Sequence, residues 1–332
     1  MTIYDIAKEA GVSASTVSRV INNKQGIKKE TKVKVQKILD KYDFHIDDNA
    51  KGLVTKSTKL VGILISDIRK GHHNSISYII SNKLVEFGYC TIVINSGRTK
   101  EEIDKAINVL RQRKVDGIIL IGSIFNVDGM KKTIKAFFSS TPVIMANGYF
   151  DLQNVYGIQA NEYQGIRDGV RHLYSKGYKK IAFVGNLNTK SNQSKAKGYS
   201  DELKCLNKQK DTIILDLYNC ENTFNKLKEL FVVHSDIDSI IFSDDIILFN
   251  HLRFLQDLGK KIPEDLGLIG VNNEFFCTLT TPTLTTIDNK MKDTALAVVD
   301  TLIGVLKGET KEKQKMLFTS LIKRESTNKG ST

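Results

Sequence analysis

The spacing of apolar residues changes character twice along the 332-residue chain. Over residues 1–45 it predicts three short helices. Thr2 is placed to cap the first, with Asp5 three residues on; Ile6, Ala7 and Ala10 follow, and Gly11 stops the helix. Ser13 is placed to cap a second helix with Val17, Val20 and Ile21 on its buried face. The other face shows Ser15, Thr16, Ser18, Arg19 and Asn22. A third helix, starting near Lys29, sets Val35, Ile38, Leu39 and Tyr42 at helical spacing, with Lys28, Lys29, Lys32, Lys34 and Lys37 elsewhere. Two short helices joined by a three-residue turn containing Gly form a helix-turn-helix unit. Residues 46–59 are polar and weakly patterned, a linker or a segment that becomes helical only against a partner.

From Leu60 short apolar runs alternate with amphipathic stretches. The runs fall near 60–65, 90–94, 117–121, 142–146, 180–184, 212–217, 238–242 and 267–271; helical stretches such as Ser75–Phe87, Glu101–Gln112, Gln164–Lys176 and Ile246–Leu258 lie between them. This alternation predicts parallel sheets wrapped by helices. A pause near 147–161 followed by a restart predicts two similar doubly wound subdomains with a cleft between them. Ligands of such sheets bind at the carboxyl ends of the strands. The predicted divisions are 1–45, 46–59 and 60–332. Within the last, one subdomain takes about 60–160 with crossing segments in 290–318, and the other about 161–289 with the C-terminus.

Lys and Arg number 49 and Asp and Glu 37, for a net charge of +12. Residues 1–60 carry +5 and 307–332 carry +4, so the long middle is nearly balanced at +3. A basic surplus concentrated at the N-terminal end points to a polyanionic partner. No apolar run approaches a membrane span, and Met1-Thr2-Ile3-Tyr4-Asp5 has no basic segment leading into an apolar one, which predicts a cytoplasmic protein without a secretory signal. Cys90, Cys205, Cys220 and Cys277 are scattered without zinc spacing. No dinucleotide, phosphate-loop, nucleophile-elbow or zinc-protease motif is present, which predicts no cofactor, no metal and a binding protein rather than an enzyme. Asp244-Asp245 is either an acid/base pair or a helix cap. The second helix carries the stronger signal: short side chains at its start let it enter the major groove, and an Arg or Asn reaches base edges.

The run from Thr2 to Asn22, with Thr2-Ile3-Tyr4-Asp5-Ile6-Ala7 and Ser13-Ala14-Ser15-Thr16-Val17-Ser18-Arg19-Val20 at its heart, resembles the N-terminal signature of the lactose repressor (LacI/GalR) family of bacterial transcription regulators. Further likenesses run through the body: Val61-Gly62-Ile63, Val115-Asp116-Gly117-Ile118, Asn161-Glu162, Arg171-His172-Leu173, Ile262-Pro263-Glu264-Asp265, Pro282-Thr283-Leu284-Thr285 and Arg324-Glu325-Ser326-Thr327. The resemblance implies a DNA-binding repressor, a homodimer on a pseudopalindromic duplex operator in the bacterial nucleoid. A periplasmic-binding-protein-like effector domain would bind a sugar or sugar phosphate between two subdomains. It implies that Tyr4, Ser13, Thr16, Ser18, Arg19 and Asn22 meet phosphates and base edges, and that Ala14 and Ser15 choose the operator sequence. Leu53 would wedge into the minor groove with Ala50 as its small partner. The family's catabolite-control branch, governed by a protein co-repressor, is the alternative. A solute-binding protein or sugar-metabolising enzyme shares the cleft fold but needs a signal peptide or a catalytic constellation.

The chain departs from the family pattern in two places. Phe44, Ile46, Asp47, Asp48 and Asn49 replace the usual hinge residues, so two added carboxylates repel phosphate and predict weaker or ligand-dependent folding of the hinge on DNA. In the effector pocket the implied residues are His72, His73, Asn147, Lys195, Asp244 and Asn272, a set less acidic than usual. They predict a ligand with an anionic group paired with Lys195 and a protonated His.

Overall fold

The computed structural model describes residues 2–21, 24–42, 44, 57–218 and 220–329. Contacts divide the chain into two compact units, 1–58 and 59–332.

The first unit is three helices, α1 (Ile3–Ala10), α2 (Ala14–Ile21) and α3 (Lys29–Lys41). The predicted cap of α1 is a full capping box: the Asp5 amide donates to the Thr2 hydroxyl and the Thr2 amide to the Asp5 carboxylate. Gly11 closes the helix in the left-handed conformation (φ 66°), where a side chain would be strained. Ser13 accepts from the Thr16 amide at 3.2 Å, capping α2. Ile6, Ala7, Ala10, Val17, Val20, Val35 and Leu39 close a small core. Tyr42, expected to complete the third stripe, stands just beyond the end of α3 and is 39% exposed.

The second unit holds two six-stranded sheets. The N-terminal sheet takes β1 (Leu60–Ile65), β2 (Cys90–Asn95), β3 (Gly117–Ile121), β4 (Val143–Ala146) and β5 (Val155–Ala160), with helices α4 (Gly71–Val85), α5 (Lys100–Arg113) and α6 (Asp128–Phe137) between them. The C-terminal sheet takes β6 (Ile181–Gly185), β7 (Ile213–Asp216), β8 (Ser239–Phe242), β9 (Gly267–Val271) and β10 (Thr285–Asp288), with α7 (Glu162–Ser175), α8 (Lys190–Cys205), α9 (Thr223–Val233) and α10 (Asp245–Asp257). The chain then returns as α11 (Met291–Leu306) to pack on the first sheet, burying Ala295, Val298, Val299 and Leu302 against α4 and the strands. It ends as β11 (Gln314–Leu317) beside β5 and β12 (Ser320–Ile322) beside β10. Three segments therefore cross between the sheets, around Asn161, Asn289 and Phe318. The Asn161 amide donates to the Leu317 carbonyl at 2.8 Å, which ties the first to the third.

The eight apolar runs are strands, and the central ones are buried on both faces, as parallel strands under helices require. The expected all-parallel arrangement has one exception: β12 runs antiparallel to β10. The pause near 147–161 contains β5, whose apolar residues are interrupted by Gly157 and Gln159. In β10 the buried residues Thr285 and Thr286 are polar, and each hydroxyl has a partner, Thr327 Oγ1 at 2.8 Å and Asp245 Oδ1 at 2.7 Å.

Candidate functional site

On the first unit, the buried face of α2 is Val17 and Val20, which turns Ser15 and Arg19 outward. Ser13 shares its hydroxyl with Ser15 Oγ at 2.8 Å and Thr16 Oγ1 at 2.9 Å, so three hydroxyls form one donor–acceptor cluster at the start of the helix. Ala14, Thr16 and Ser18 are half-buried beside it, and Tyr4 projects from α1, 73% exposed. Arg19 Nη2 donates to the Gln25 carbonyl at 2.9 Å, which holds the guanidinium at the C-terminal end of α2. Lys28, Lys29, Lys32, Lys34 and Lys37 are exposed on and just before α3. Small side chains, a hydroxyl cluster and one Arg on a short helix are the equipment for base-edge contact in a major groove, and the lysines suit phosphate. Asn22, Ala50, Leu53 and the hinge residues Ile46, Asp47, Asp48 and Asn49 lie outside the described residues.

On the second unit, the carboxyl ends of the two sheets meet at a cavity of ≈ 210 Å³. It brings together all six pocket residues expected from the sequence: His72, His73 and Asn147 from the N-terminal subdomain, Lys195, Asp244 and Asn272 from the other. Asn147 and Asn272 directly follow β4 and β9 with positive φ (66° and 115°), a conformation Asn adopts more readily than most residues. Lys70, Arg98 and Glu162 also line the cavity and were missed. Lys70 and Arg98 sit in loops that lead into helices, where no apolar period marks them. Glu162 was matched only as part of a family signature.

Lys195 is buried, and its ammonium is already paired. Nζ lies 3.2 Å from Glu162 Oε1 and donates to the Ser243 carbonyl at 2.9 Å and Asn192 Oδ1 at 3.1 Å. Burial works against its charge, but the Glu162 and Asp244 carboxylates outweigh burial and hold its pKa above the ordinary value. Glu162 in turn accepts from the Ser191 hydroxyl and from Asn289 Nδ2. Asn289 Nδ2 also donates to Asn272 Oδ1 at 2.8 Å, and Asn272 Nδ2 to Asp244 Oδ1 at 3.3 Å. A polar chain thus runs from Lys195 through two crossing segments to Asp244. The expectation that Lys195 supplies the charge for a ligand anion is corrected: Glu162 neutralises it.

The expected protonated histidine is corrected too. Burial, with the nearby Lys70 and Lys195 cations, pushes His72 down to about 3, and burial together with His72 and Lys70 pushes His73 well below its ordinary value. Both rings are neutral near pH 7, and their centroids are 4.1 Å apart in an edge-on pair. Below them Glu274, buried and following β9, reaches across to the start of α4: a Cβ on Gly71 would stand 1.8 Å from Glu274 Oε2, so only Gly permits that approach. Glu274 Oε1 has no hydrogen-bond partner and lies 4.0 Å from His72 Nδ1. Burial first, then the Asp245 and Asp244 carboxylates, raise Glu274 to about 7 against the opposing His72 amide and Lys70. Asp245 is sealed beneath the cavity, accepting from Thr286 Oγ1 at 2.7 Å and the Glu274 amide at 2.9 Å. Asp244 stands at the N-cap of α10 without a side-chain cap bond, its Oδ2 accepting from Ser243 Oγ instead. Asp245 thus braces the Glu274 loop.

Residues 2–47 match the bacterial regulatory proteins of the lacI family, and residues 170–327 match the periplasmic binding protein-like domain. An HTH-type transcriptional regulator of Lachnoclostridium phytofermentans is 29% identical over 99% of this chain and 100% of its own length. Catabolite control protein A of Streptococcus mutans is 27% identical over 99% of this chain and 98% of its own. Among solved structures, the lac repressor dimer bound to operator and the anti-inducer ONPF superposes with a TM-score of 0.86 at 22% identity, covering 98% of this chain and 99% of that one. A helix-turn-helix unit that matches the lacI family of bacterial regulatory proteins thus stands ahead of a two-sheet cleft that matches the periplasmic binding protein-like domain, in a chain similar over essentially its whole length to an HTH-type transcriptional regulator.

Proposed function

We propose that the chain is a transcription repressor, not an enzyme, that binds a pseudopalindromic duplex operator as a homodimer. A sugar or sugar phosphate in the cleft sets its operator affinity. The observation that carries this reading is the pairing, in one chain, of an α2 face built of Ser13, Ser15 and Arg19 with a polar cavity at the carboxyl ends of two parallel sheets. Tyr4, Thr16 and Ser18, with Asn22, complete the DNA contacts; Ala14 and Ser15 select the sequence through van der Waals contact and one hydroxyl; Ala50 and Leu53 act at the centre of the operator. His72, His73, Asn147, Lys195, Asp244 and Asn272 wall the effector. Such a reader works where the chromosome lies, in the bacterial cytoplasm. One small recognition helix binds weakly, and two on successive half-sites multiply its affinity.

The test is genomic footprinting of the protein, followed by fluorescence anisotropy of the identified site with wild type and Arg19→Ala. Loss of one base-edge arginine lowers specific affinity about 5- to 150-fold, equivalent to 1–3 kcal/mol, while ligand-induced stabilisation of the second unit is unchanged. Uniform chromosomal coverage with no preferred site overturns the reading. The likeness to catabolite control protein A favours a second reading, in which a protein co-repressor sets activity. Tight operator binding by the protein alone speaks against it.

A further inference from the structure

The charges around the cavity do not balance internally. Lys70, Arg98 and Lys195 line it, against Glu162 and Asp244. Lys195 is matched to Glu162. Asp244 accepts from Ser243 Oγ at 2.9 Å and Asn272 Nδ2 at 3.3 Å. Asp67, the acidic residue nearest Lys70 in sequence, is taken by Arg69 through two bonds of 2.9 Å. Among the described residues, Lys70 and Arg98 make no ion pair and no side-chain hydrogen bond. Two cations that line the cavity therefore lack a partner, while the carboxylates that line it, Glu162 and Asp244, are engaged.

Lys70 is the more constrained of the two. It is half-buried at the N-cap of α4, where the positive end of the helix adds to its own charge. Burial, with Arg98 and Lys195, lowers its pKa against the pull of Asp244 and Asp67. A partly desolvated ammonium without a counter-ion is unfavourable, and an anion delivered by a ligand removes that cost. The histidines expected to supply the charge are neutral, so the cationic role falls on Lys70 and Arg98. The rest of the wall suits hydroxyl groups: Ser66, Asn147, Asn186 and Asn192 offer amides and a hydroxyl, and the His72–His73 pair offers flat rings for a sugar face.

Resting on the reading of the cleft as an effector site, we propose that the effector is an acidic sugar derivative whose phosphate or carboxylate is held by Lys70 and Arg98. Lys195 acts through Glu162 and does not touch the anion.

Calorimetric titration of the full chain tests this with pentose and hexose phosphates and the sugar acid gluconate, each beside its neutral parent sugar. Inorganic phosphate reports on the cation pair alone. The charged sugar is expected to bind about 30-fold or more tighter than its parent, the lower end of what one partner of a buried charge pair is worth. Lys70→Gln and Arg98→Gln each remove most of that preference and the response to phosphate, leaving the neutral sugar's affinity unchanged. Arg98 is exposed, so its substitution leaves the fold intact and keeps the test decisive. Binding of phosphates but not gluconate identifies the anion as phosphate; binding of both identifies any small oxyanion. A neutral sugar that binds as tightly as its charged form, or a charged ligand indifferent to both substitutions, overturns the proposal and leaves the effector reading standing. No binding of any sugar, charged or neutral, with no response to phosphate, overturns the effector reading itself.

Discussion

Replacing Glu274 by Gln makes the second unit more stable above neutral pH and nearly indifferent to pH through this residue. The carboxyl is buried, presses on Gly71 and the start of α4, and has one oxygen without a partner. Burial and the Asp245 and Asp244 charges raise its pKa from an ordinary 4.5 to about 7. The folded state therefore holds this proton where the unfolded chain has released it. The stability it contributes is complete below pH 4.5 and is lost as pH rises to about 7. A shift of that size corresponds to about 3 kcal/mol, which in a unit of this size is roughly 6–12 °C in Tm. Gln has the shape of the neutral acid and cannot ionise, so thermal unfolding of wild type and Glu274→Gln should agree near pH 4.5 and diverge to that extent by pH 8. His72 and His172, whose pKa values burial lowers to about 3 and about 4, contribute in the opposite direction, gaining stability as pH rises through 6.5. Their contribution is complete above pH 6.5, so divergence of the two proteins above that pH belongs to Glu274. A difference that stays flat from pH 5 to 8 refutes the reasoning.

Glu162→Gln leaves the Lys195 ammonium buried without its counter-charge and should cost about 3–5 kcal/mol by chemical denaturation, with much of the loss recovered when Lys195→Met is added. A double mutant no more stable than Glu162→Gln alone contradicts the pairing. On the proposal that residues 46–59 fold as a hinge on DNA, Asp47→Asn combined with Asp48→Asn removes two charges that repel phosphate, so operator affinity should rise and the amides of 46–59 should gain protection on DNA. Unchanged protection sinks that account.

Local chemistry was the most legible part of the sequence. Thr2, Asp5, Gly11 and Ser13 act through neighbours one turn away, and each cap forms as its spacing implies. The apolar runs announce eight strands, the central ones buried on both faces and the edge strands β2 and β7 partly exposed. What the runs do not announce is polar or exposed. β10 buries Thr285 and Thr286 because distant residues, Thr327 and Asp245, satisfy their hydroxyls. β11 is an edge strand with Gln314, Lys315 and Met316 open to solvent. Tyr42 keeps the helical period but falls just past the end of α3 and stays exposed, while Phe44 two residues on packs against the core.

The cavity was legible as a set of residues but not as a set of charges. Which side chains converge was implied by the family resemblance, Asn147 and Asn272 directly after strands and His72, His73 and Lys195 on helices; whether a cation is free depends on pairings made across the fold. Glu162 and Lys195 belong to adjacent helices, and only their packing makes the pair. The pairing also changes what the site can do. Glu162 directly follows the first crossing segment and Asn289 lies in the second, so the polar chain from Lys195 to Asp244 is anchored in two of the three connections between the subdomains. A ligand that accepts from Asn272 or bonds Asp244 competes for hydrogen bonds of that chain, and any ligand shifts a conformational equilibrium only by its difference in contact free energy between the two states. The unpartnered Oδ1 of Asn289, buried within the chain, leaves one acceptor that a rearranged crossing segment can satisfy. The groups a ligand would meet and the groups that tie the connections between the subdomains are thus the same few polar side chains.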